Sequence, residues 1–533
     1  MEQQSAPSAA APPVRLRRAA ARSGRARPAA LSRIAGAPTA LPLTLILATA
    51  ALLRLWQLNH VGFNSDEAVY SGQGAAIAND PQLAPFFPIF RAHPLLFQTG
   101  LSLGFRIHLG EGFQRVAAAA FGVATVYLVY ELGRLLYGRR AGLIAALVMA
   151  LMPYHVLISR QVLLDGPMTF FATLTLVLLA RFASSGRRAW LNAAAAAMGL
   201  TLLTKETSIL LLGAAYAFFA LTPRLRVRLR DLAVSLAVTA LVILPLPITM
   251  AVAGRAHTGG SYLTWQLLRR PNHDWLFYPA TIPEAIGPLV LVGALAGLWL
   301  LRREGSWRET LLLCWIAVPV AFFQLWPVKG FPYLLPIAPP LAVLAGRALA
   351  AWWRAGGGAG QRRRAERGFA LLGTAILAGS LLTPAWQRVR NPGRDGYLAG
   401  SGGVPGGREL GEWIDRSVPR GAAFMTVGPS MANLVQYYGH RKAYGLSVSP
   451  NPLNRNPSYE PLTNPNEAIR GDDLQYLVWD AFSADRSPTF SGKLRAYARR
   501  YHGRVVHTEL LPARTRAGRR TGTPAIVVYE VRP

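Results

Sequence analysis

The chain has 533 residues, 52% hydrophobic and only 16% charged, with mean hydropathy +0.25. That balance points to a polytopic membrane protein and away from a soluble globular one. The net charge of +31 argues weakly for nucleic acid, because its basic residues collect in an N-terminal tail and in short arginine clusters between apolar segments. One cysteine, Cys314, excludes an intrachain disulfide and a cysteine-based metal cluster.

Residues 1–38 are rich in Ala, Pro and Arg without apolar periodicity, and read as a disordered, basic cytoplasmic tail. The apolar run from about Ala40 to Trp56 is long enough to span. Behind so long a tail, and with no small-residue cleavage site after it, the run reads as an uncleaved signal anchor. Further apolar segments lie near 115–133, 141–158, 166–183, 189–204, 206–221, 232–253, 285–301, 310–326, 331–353 and 368–386.

The loops 133–140, 184–188, 223–230, 301–308 and 354–367 are basic and should all be cytoplasmic. All of them fall inside if the N-terminus is cytoplasmic and the piece Pro94–Leu109 does not cross. That piece is short, carries Arg106 and His108, and suits a juxtamembrane helix. The expected architecture is therefore a polytopic α-helical membrane domain over 39–386, with about eleven spans plus juxtamembrane helices. The C-terminal part would lie outside.

The same parity gathers polar residues on the outer face. Asp66, Glu67, Arg91 and His93 lie in the first outer loop, Arg160 and Asp165 in the second, and Lys205 and Glu206 in the third. Arg269 and Arg270 belong to a long fourth loop, and Lys329 and Tyr333 to the fifth. Carboxylates beside a bilayer are costly unless a polar cavity, a cation or a reaction holds them. An isolated Asp-Glu pair is usually a solvated face, and one external lysine usually snorkels. Two of the chain's four lysines in short outer loops, among arginines and carboxylates, indicate a polar site instead.

From about Gln387 the composition becomes that of a soluble domain. A linker is expected over 387–407, then a small extracytoplasmic α/β domain over 408–533 with a mostly parallel sheet. Its glycines form neither G-x-G-x-x-G nor a P-loop, so no nucleotide is expected.

No cytoplasmic loop is large enough to fold around a nucleotide sugar, and the polar residues lie on the other side. An enzyme built this way needs a donor carried in the membrane, such as a polyprenyl-phosphate-linked sugar. Transfer from it needs a carboxylate to take the proton of the acceptor hydroxyl. It also needs cations to hold the phosphate as charge develops on the leaving group.

Several motifs carry a family resemblance. They are the D-E pair after the first span, H-P-L at 93–95, S-R-Q-V-L-L-D-G-P-M-T-F-F at 159–171, L-T-K-E at 203–206 and K-G-F-P-Y-L-L-P at 329–336. Over roughly residues 40–350 the chain resembles the GT-C membrane glycosyltransferases, in the branch of protein O-mannosyltransferases and lipid A aminoarabinose transferases. The resemblance implies inverting transfer to a protein, lipid or cell-envelope glycan at the outer face of the plasma membrane. It matches Asp66 to the catalytic aspartate, with Glu67 beside it and Asp165 as the second-loop acid. Lys329 and Tyr333 match the loop near the lipid phosphate, and His93 stands where aminoarabinose transferases place lysine. Lys205 joins Lys329 and Tyr333 as the leading phosphate candidates, ahead of Arg91, His93, Arg160, Arg269 and Arg270.

Two alternatives stay open on the sequence. One is a divalent-metal-dependent oligosaccharyltransferase-like enzyme, with Mg or Mn on Asp66 and Asp165 as hard oxygen ligands and Glu67 as a further candidate. The other is a flippase for a lipid-linked substrate, against which the chain shows no paired halves with matching broken helices.

Overall fold

The structure is a computed structural model that describes residues 37–89, 93–110, 112–225, 227–253, 265–266, 269, 271–300, 306–355, 361–390, 404–456, 459–511 and 522–533. The chain divides into Met1–Pro42 and Leu43–Pro533, and the second unit contains every element after the first apolar helix. The expected tail lies outside the described residues, save its last two.

Every expected apolar segment is helical. Six helices are long and apolar enough to cross a membrane: Phe113–Tyr137, Asp165–Ser185, Leu229–Val252, Trp307–Leu325, Phe331–Ala351 and Gly368–Arg390. A seventh crossing results if Phe277–Ile286 and Pro288–Trp299 count as one bent span. The break of 90° between them falls at Gly287, whose φ of +102° suits glycine, ahead of a proline that supplies no N–H.

The sequence count of eleven is therefore too high by this measure among the described residues. Ala40–Leu55 and Glu206–Leu221 are shorter apolar helices, and Arg188–Thr204 has 17 residues. The segment 141–158 is interrupted at Met152, which is extended because Pro153 follows it and starts a new helix. Leu96–Arg106 is an 11-residue helix, too short to cross, as expected for the juxtamembrane piece.

The C-terminal domain carries five strands: β1 (Ala423–Thr426), β2 (Lys442–Gly445), β3 (Tyr476–Asp480), β4 (Arg504–Leu511) and β5 (Thr523–Glu530). Their order is β2-β1-β3-β5-β4. β1 runs parallel to β2 and β3, whereas β5 is antiparallel to both β3 and β4. The sheet is mixed and not mostly parallel. Helices connect the parallel strands, while residues 512–522 between β4 and β5 are too few for a crossover helix.

The domain is fastened to the loop after the first apolar helix by its Pro429–Gly439 helix. The Tyr438 hydroxyl accepts from Phe63 N at 2.8 Å, and Asn433 Nδ2 donates to Ser65 Oγ at 2.9 Å. The Phe63 ring meets Tyr437 and Tyr438 with centroids 5.1 and 6.0 Å apart. Of the expected linker, residues 387–390 continue the preceding helix, and 391–403 lie outside the described residues.

Candidate active site

The sequence N-S-D-E starts the Ser65–Ile77 helix with a capping box. Asn64 Oδ1 accepts from Asp66 N at 2.9 Å and Glu67 N at 3.0 Å, and Glu67 Oε2 accepts from Asn64 N at 3.0 Å. Helical geometry turns successive side chains by about 100°, so the two adjacent carboxylates part company.

Glu67 points inward and is fully buried. Arg115 Nε and Nη2 each donate to it at 2.7 Å, and Val162 N adds a third bond at 3.0 Å. Arg115 also donates to the carbonyls of Leu58, Val61 and Gly62. The pair thus joins the segment after the first apolar helix to the one that precedes the Asp165–Ser185 helix. Arg160 is used similarly: it donates to the carbonyls of Leu53, Arg54 and Trp56 at the end of the first apolar helix. Neither Glu67 nor Arg160 lines the polar cavity.

Asp66 does line it. The cavity holds about 440 Å³ and also takes in His93, Asp165, Lys205, Glu206, Arg269, Lys329 and Tyr333. Among the described residues the Asp66 carboxylate makes no hydrogen bond or ion pair. Enclosure by protein raises its pKa above the usual carboxylate value; His93 and Lys205 pull it back, and Asp165 and Glu67 push it further up.

Asp165 begins the Asp165–Ser185 helix and is 3% exposed. Lys205, in the extended break after Thr204, donates its ammonium to both oxygens of Asp165 at 2.7 and 2.9 Å. The same ammonium lies 4.7 Å from the Tyr333 ring centroid, so a cation–π contact adds to the pair. His93 Nδ1 is 2.8 Å from Glu206 Oε2. Two of the cavity's carboxylates thus have basic partners, and one stays open.

Lys329 lines the cavity, but its ammonium donates to the carbonyls of Phe323, Gln324 and Trp326 at 3.3, 2.9 and 3.1 Å. These groups end the Trp307–Leu325 helix, so the lysine caps it and occupies its three donors. Arg269 lies over the Trp265 ring at 4.9 Å from its centroid. Arg91 and Arg270 lie outside the described residues.

The C-terminal domain closes the cavity with Ser447, Arg455, Asn456 and Tyr459. The sequence reading left these out, as it did Glu206 as the partner of His93. The one available signal was the polar Asn/Pro-rich stretch 449–466, since loops held on a rigid scaffold carry binding residues.

A divalent cation does not fit the donor set. Among the described residues no three His, Cys, Asp or Glu side chains are grouped to hold one. Both oxygens of Asp165 are taken by Lys205, leaving Asp66 without the further hard ligands that Mg or Mn requires.

This cavity lies between a bundle of apolar helices and a mixed-sheet cap, an arrangement similar to that of the solved ArnT structures. Residues 92–250 match the family model of dolichyl-phosphate-mannose-protein mannosyltransferase. Undecaprenyl phosphate-α-4-amino-4-deoxy-L-arabinose arabinosyl transferase of Pseudomonas aeruginosa is 31% identical over 296 residues, 52% of each chain. The enzyme of that name from Pectobacterium carotovorum is 30% identical over 254 residues, 44% of each. The chain therefore spans about half the length of the curated relatives it matches. The crystal structure of ArnT from Cupriavidus metallidurans in the apo state superposes with a TM-score of 0.68 at 15% identity, covering 93% of this chain and 98% of that one. ArnT bound to undecaprenyl phosphate gives 0.65 at 16% identity, with 92% and 97% covered. The oligosaccharyltransferase AglB from Archaeoglobus fulgidus gives 0.61 at 16%, with 87% and 72% covered. At such identities the likeness speaks for the fold.

Proposed function

We propose that this protein moves a sugar from a polyprenyl-phosphate-linked donor to an acceptor hydroxyl, with inversion, at the outer boundary of the membrane. The observation that carries the reading is the open Asp66 carboxylate facing a polar cavity of about 440 Å³, a volume suited to a small organic substrate. Asp66 accepts the proton of the acceptor hydroxyl while that oxygen attacks the anomeric carbon. The bond from that carbon to the phosphate oxygen breaks, and the lipid phosphate leaves with the electron pair.

Arg269, together with the charges of Lys205, Lys329 and Arg455, stabilises the phosphate as negative charge grows on it. The Lys205–Asp165 and His93–Glu206 pairs hold the cavity wall in place for that step. In this reading residues 39–386 bind the donor, and 408–533 form an external cap that helps to position the acceptor. The basic tail is cytoplasmic.

The test is transfer by purified protein in liposomes, with a radiolabelled polyprenyl-phosphate sugar and cell-envelope extract as acceptor. Glycan mass spectrometry of cells with and without the protein identifies the product. Loss of a defined glycan in the deletion strain, with transfer that requires the lipid-linked donor, supports the reading. An unchanged envelope and no transfer reject it.

A further inference from the structure

The carboxylates facing the cavity can be followed one by one. Among the described lining residues they are Asp66, Asp165 and Glu206. Asp165 gives both oxygens to the Lys205 ammonium, and Glu206 holds His93. Only Asp66 remains open, and the proposed reaction uses it as the base.

The cations show the opposite balance. Arg269 packs on Trp265, Lys329 donates to helix-end carbonyls, and Arg455 Nη1 donates to the carbonyls of Ser449 and Pro450. No carboxylate within salt-bridge distance of these three is found among the described residues. The undescribed stretches that adjoin the lining in sequence, 90–92, 254–264, 267–268, 270 and 457–458, contain no Asp or Glu. They contain Arg91, Arg255 and Arg270 instead. Among the described lining residues Lys205, Arg269, Lys329 and Arg455 outnumber Asp66, Asp165 and Glu206, and the nearest further acid to Lys329, Asp274, acts on it only at a distance.

This imbalance matches a phosphodiester donor and the still more negative lipid phosphate that leaves. It does not match an ammonium on the sugar. A cation brought out of water needs a carboxylate of its own, and like charges around it oppose its entry. Were the ammonium to take Asp66, it would lower the basicity needed at the acceptor hydroxyl. Sugar hydroxyls, by contrast, are served by neutral groups that the wall does offer, such as Ser447, Asn456 and Tyr459.

We infer that the transferred sugar is uncharged, unlike the 4-amino-4-deoxy sugar named in the Pseudomonas and Pectobacterium relatives. The inference rests on the donor reading of the cavity, and the test separates the two. Purified full-length protein in nanodiscs is loaded with fluorescent polyprenyl phosphate. It is then challenged with donors on one lipid carrying arabinose, 4-amino-4-deoxyarabinose, its N-acetyl derivative, mannose or glucuronic acid.

The expected result at pH 7 is that the amino donor competes about tenfold more weakly than arabinose, the scale of one unmet charged hydrogen bond. N-acetylation, which removes the charge but not the nitrogen, should restore much of the affinity. An amino donor as good as or better than arabinose overturns the inference, as does glucuronic acid competing best. If the fluorescent lipid phosphate itself fails to bind, the donor reading falls and the inference falls with it.

Discussion

Lys205 and Asp165 form one unit: the ammonium lies 2.7 and 2.9 Å from the two carboxylate oxygens, and both residues are at least 95% buried. Asp165 begins the Asp165–Ser185 helix and Lys205 follows the Arg188–Thr204 helix, so the pair ties these two helices together beside the cavity. Breaking a buried pair by removing one partner leaves an uncompensated charge and costs about 3–5 kcal/mol, whereas replacing both with apolar groups can be neutral. Lys205→Met and Asp165→Asn are therefore each expected to lower the thermal midpoint in detergent. Lys205→Met/Asp165→Leu should recover most of that loss while transfer stays impaired. A double variant no more stable than the singles would show that the two side chains act separately.

Asp66→Asn keeps the shape of the side chain and removes its basicity. The Asn64–Glu67 capping box does not involve the Asp66 carboxylate, so the helix should form normally. Transfer is expected to fall by about 2–4 orders of magnitude, with polyprenyl phosphate binding retained and parent turnover insensitive to EDTA. Because enclosure raises the Asp66 pKa, the rate of the parent should climb with pH along a limb displaced upward from the usual carboxylate range. The stability sign is the reverse. The folded state favours the protonated acid, so ionisation costs stability as pH rises through that pKa. Asp66→Asn should accordingly match or exceed the parent's thermal midpoint at neutral pH, and a much lower midpoint would recast Asp66 as a structural group.

Glu67 calls for the contrary result. Its carboxylate holds Arg115, Val162 N and Asn64 N and does not face the cavity. Glu67→Ala strands the Arg115 guanidinium and is expected to cost about 3–5 kcal/mol. Glu67→Gln should be milder, retaining part of the hydrogen bonding and part of the activity. The diagnostic is the pH–rate profile of Glu67→Gln, whose acidic limb should persist, moved somewhat downward because a negative charge beside Asp66 is gone. Loss of that limb would make Glu67 the base.

Parity of the basic loops placed Asp66, Asp165, Lys205, Lys329 and Tyr333 in one compartment, and the structure brings all of them to one cavity. Parity says nothing about which way a side chain turns. Asp66 and Glu67 are neighbours of the same chemistry, and only the position of Arg115, 48 residues from Glu67, separates their surroundings. Arg160 was an external cation by the same logic. Its partners are carbonyls at the end of the first apolar helix, 104 to 107 positions away. Arg455 stayed hidden because its place depends on the domain docking through Phe63, Tyr437 and Tyr438, a long-range contact that no local pattern announces. The count of long apolar helices is lower for local reasons: Met152 interrupts a run that composition alone reads as continuous, and Arg188–Thr204 has only 17 residues.

Orientation can be read with single cysteines in a Cys314→Ala background. Gln73 is 1% exposed and would label poorly in any orientation, so exposed Gln82 and Thr489 are the external reporters and exposed Ser185 the internal one. An impermeant maleimide is expected to modify Gln82→Cys and Thr489→Cys in intact cells, and Ser185→Cys only after lysis. The opposite pattern would put the cavity in the cytoplasm, where a lipid-linked donor is no longer required.

Lys329 and Arg269 are both cavity cations, but they hold different partners. The Lys329 ammonium has its three donors on the carbonyls of Phe323, Gln324 and Trp326, and its backbone N–H and C=O pair with Asn272. It therefore acts first on the fold, by fixing the end of the Trp307–Leu325 helix beside the site. Arg269 packs on Trp265 and presents a planar guanidinium suited to two phosphate oxygens at once. Arg269→Met is thus expected to weaken polyprenyl phosphate binding with little change in thermal midpoint. The loss should be about tenfold or more, the scale of a charge-assisted bond. Lys329→Met should lower the midpoint, and Lys329→Arg should restore it in part, because a guanidinium can still donate to several carbonyls. Binding lost in Lys329→Met with the midpoint unchanged, and kept in Arg269→Met, would reverse the two assignments and return the phosphate to the lysine.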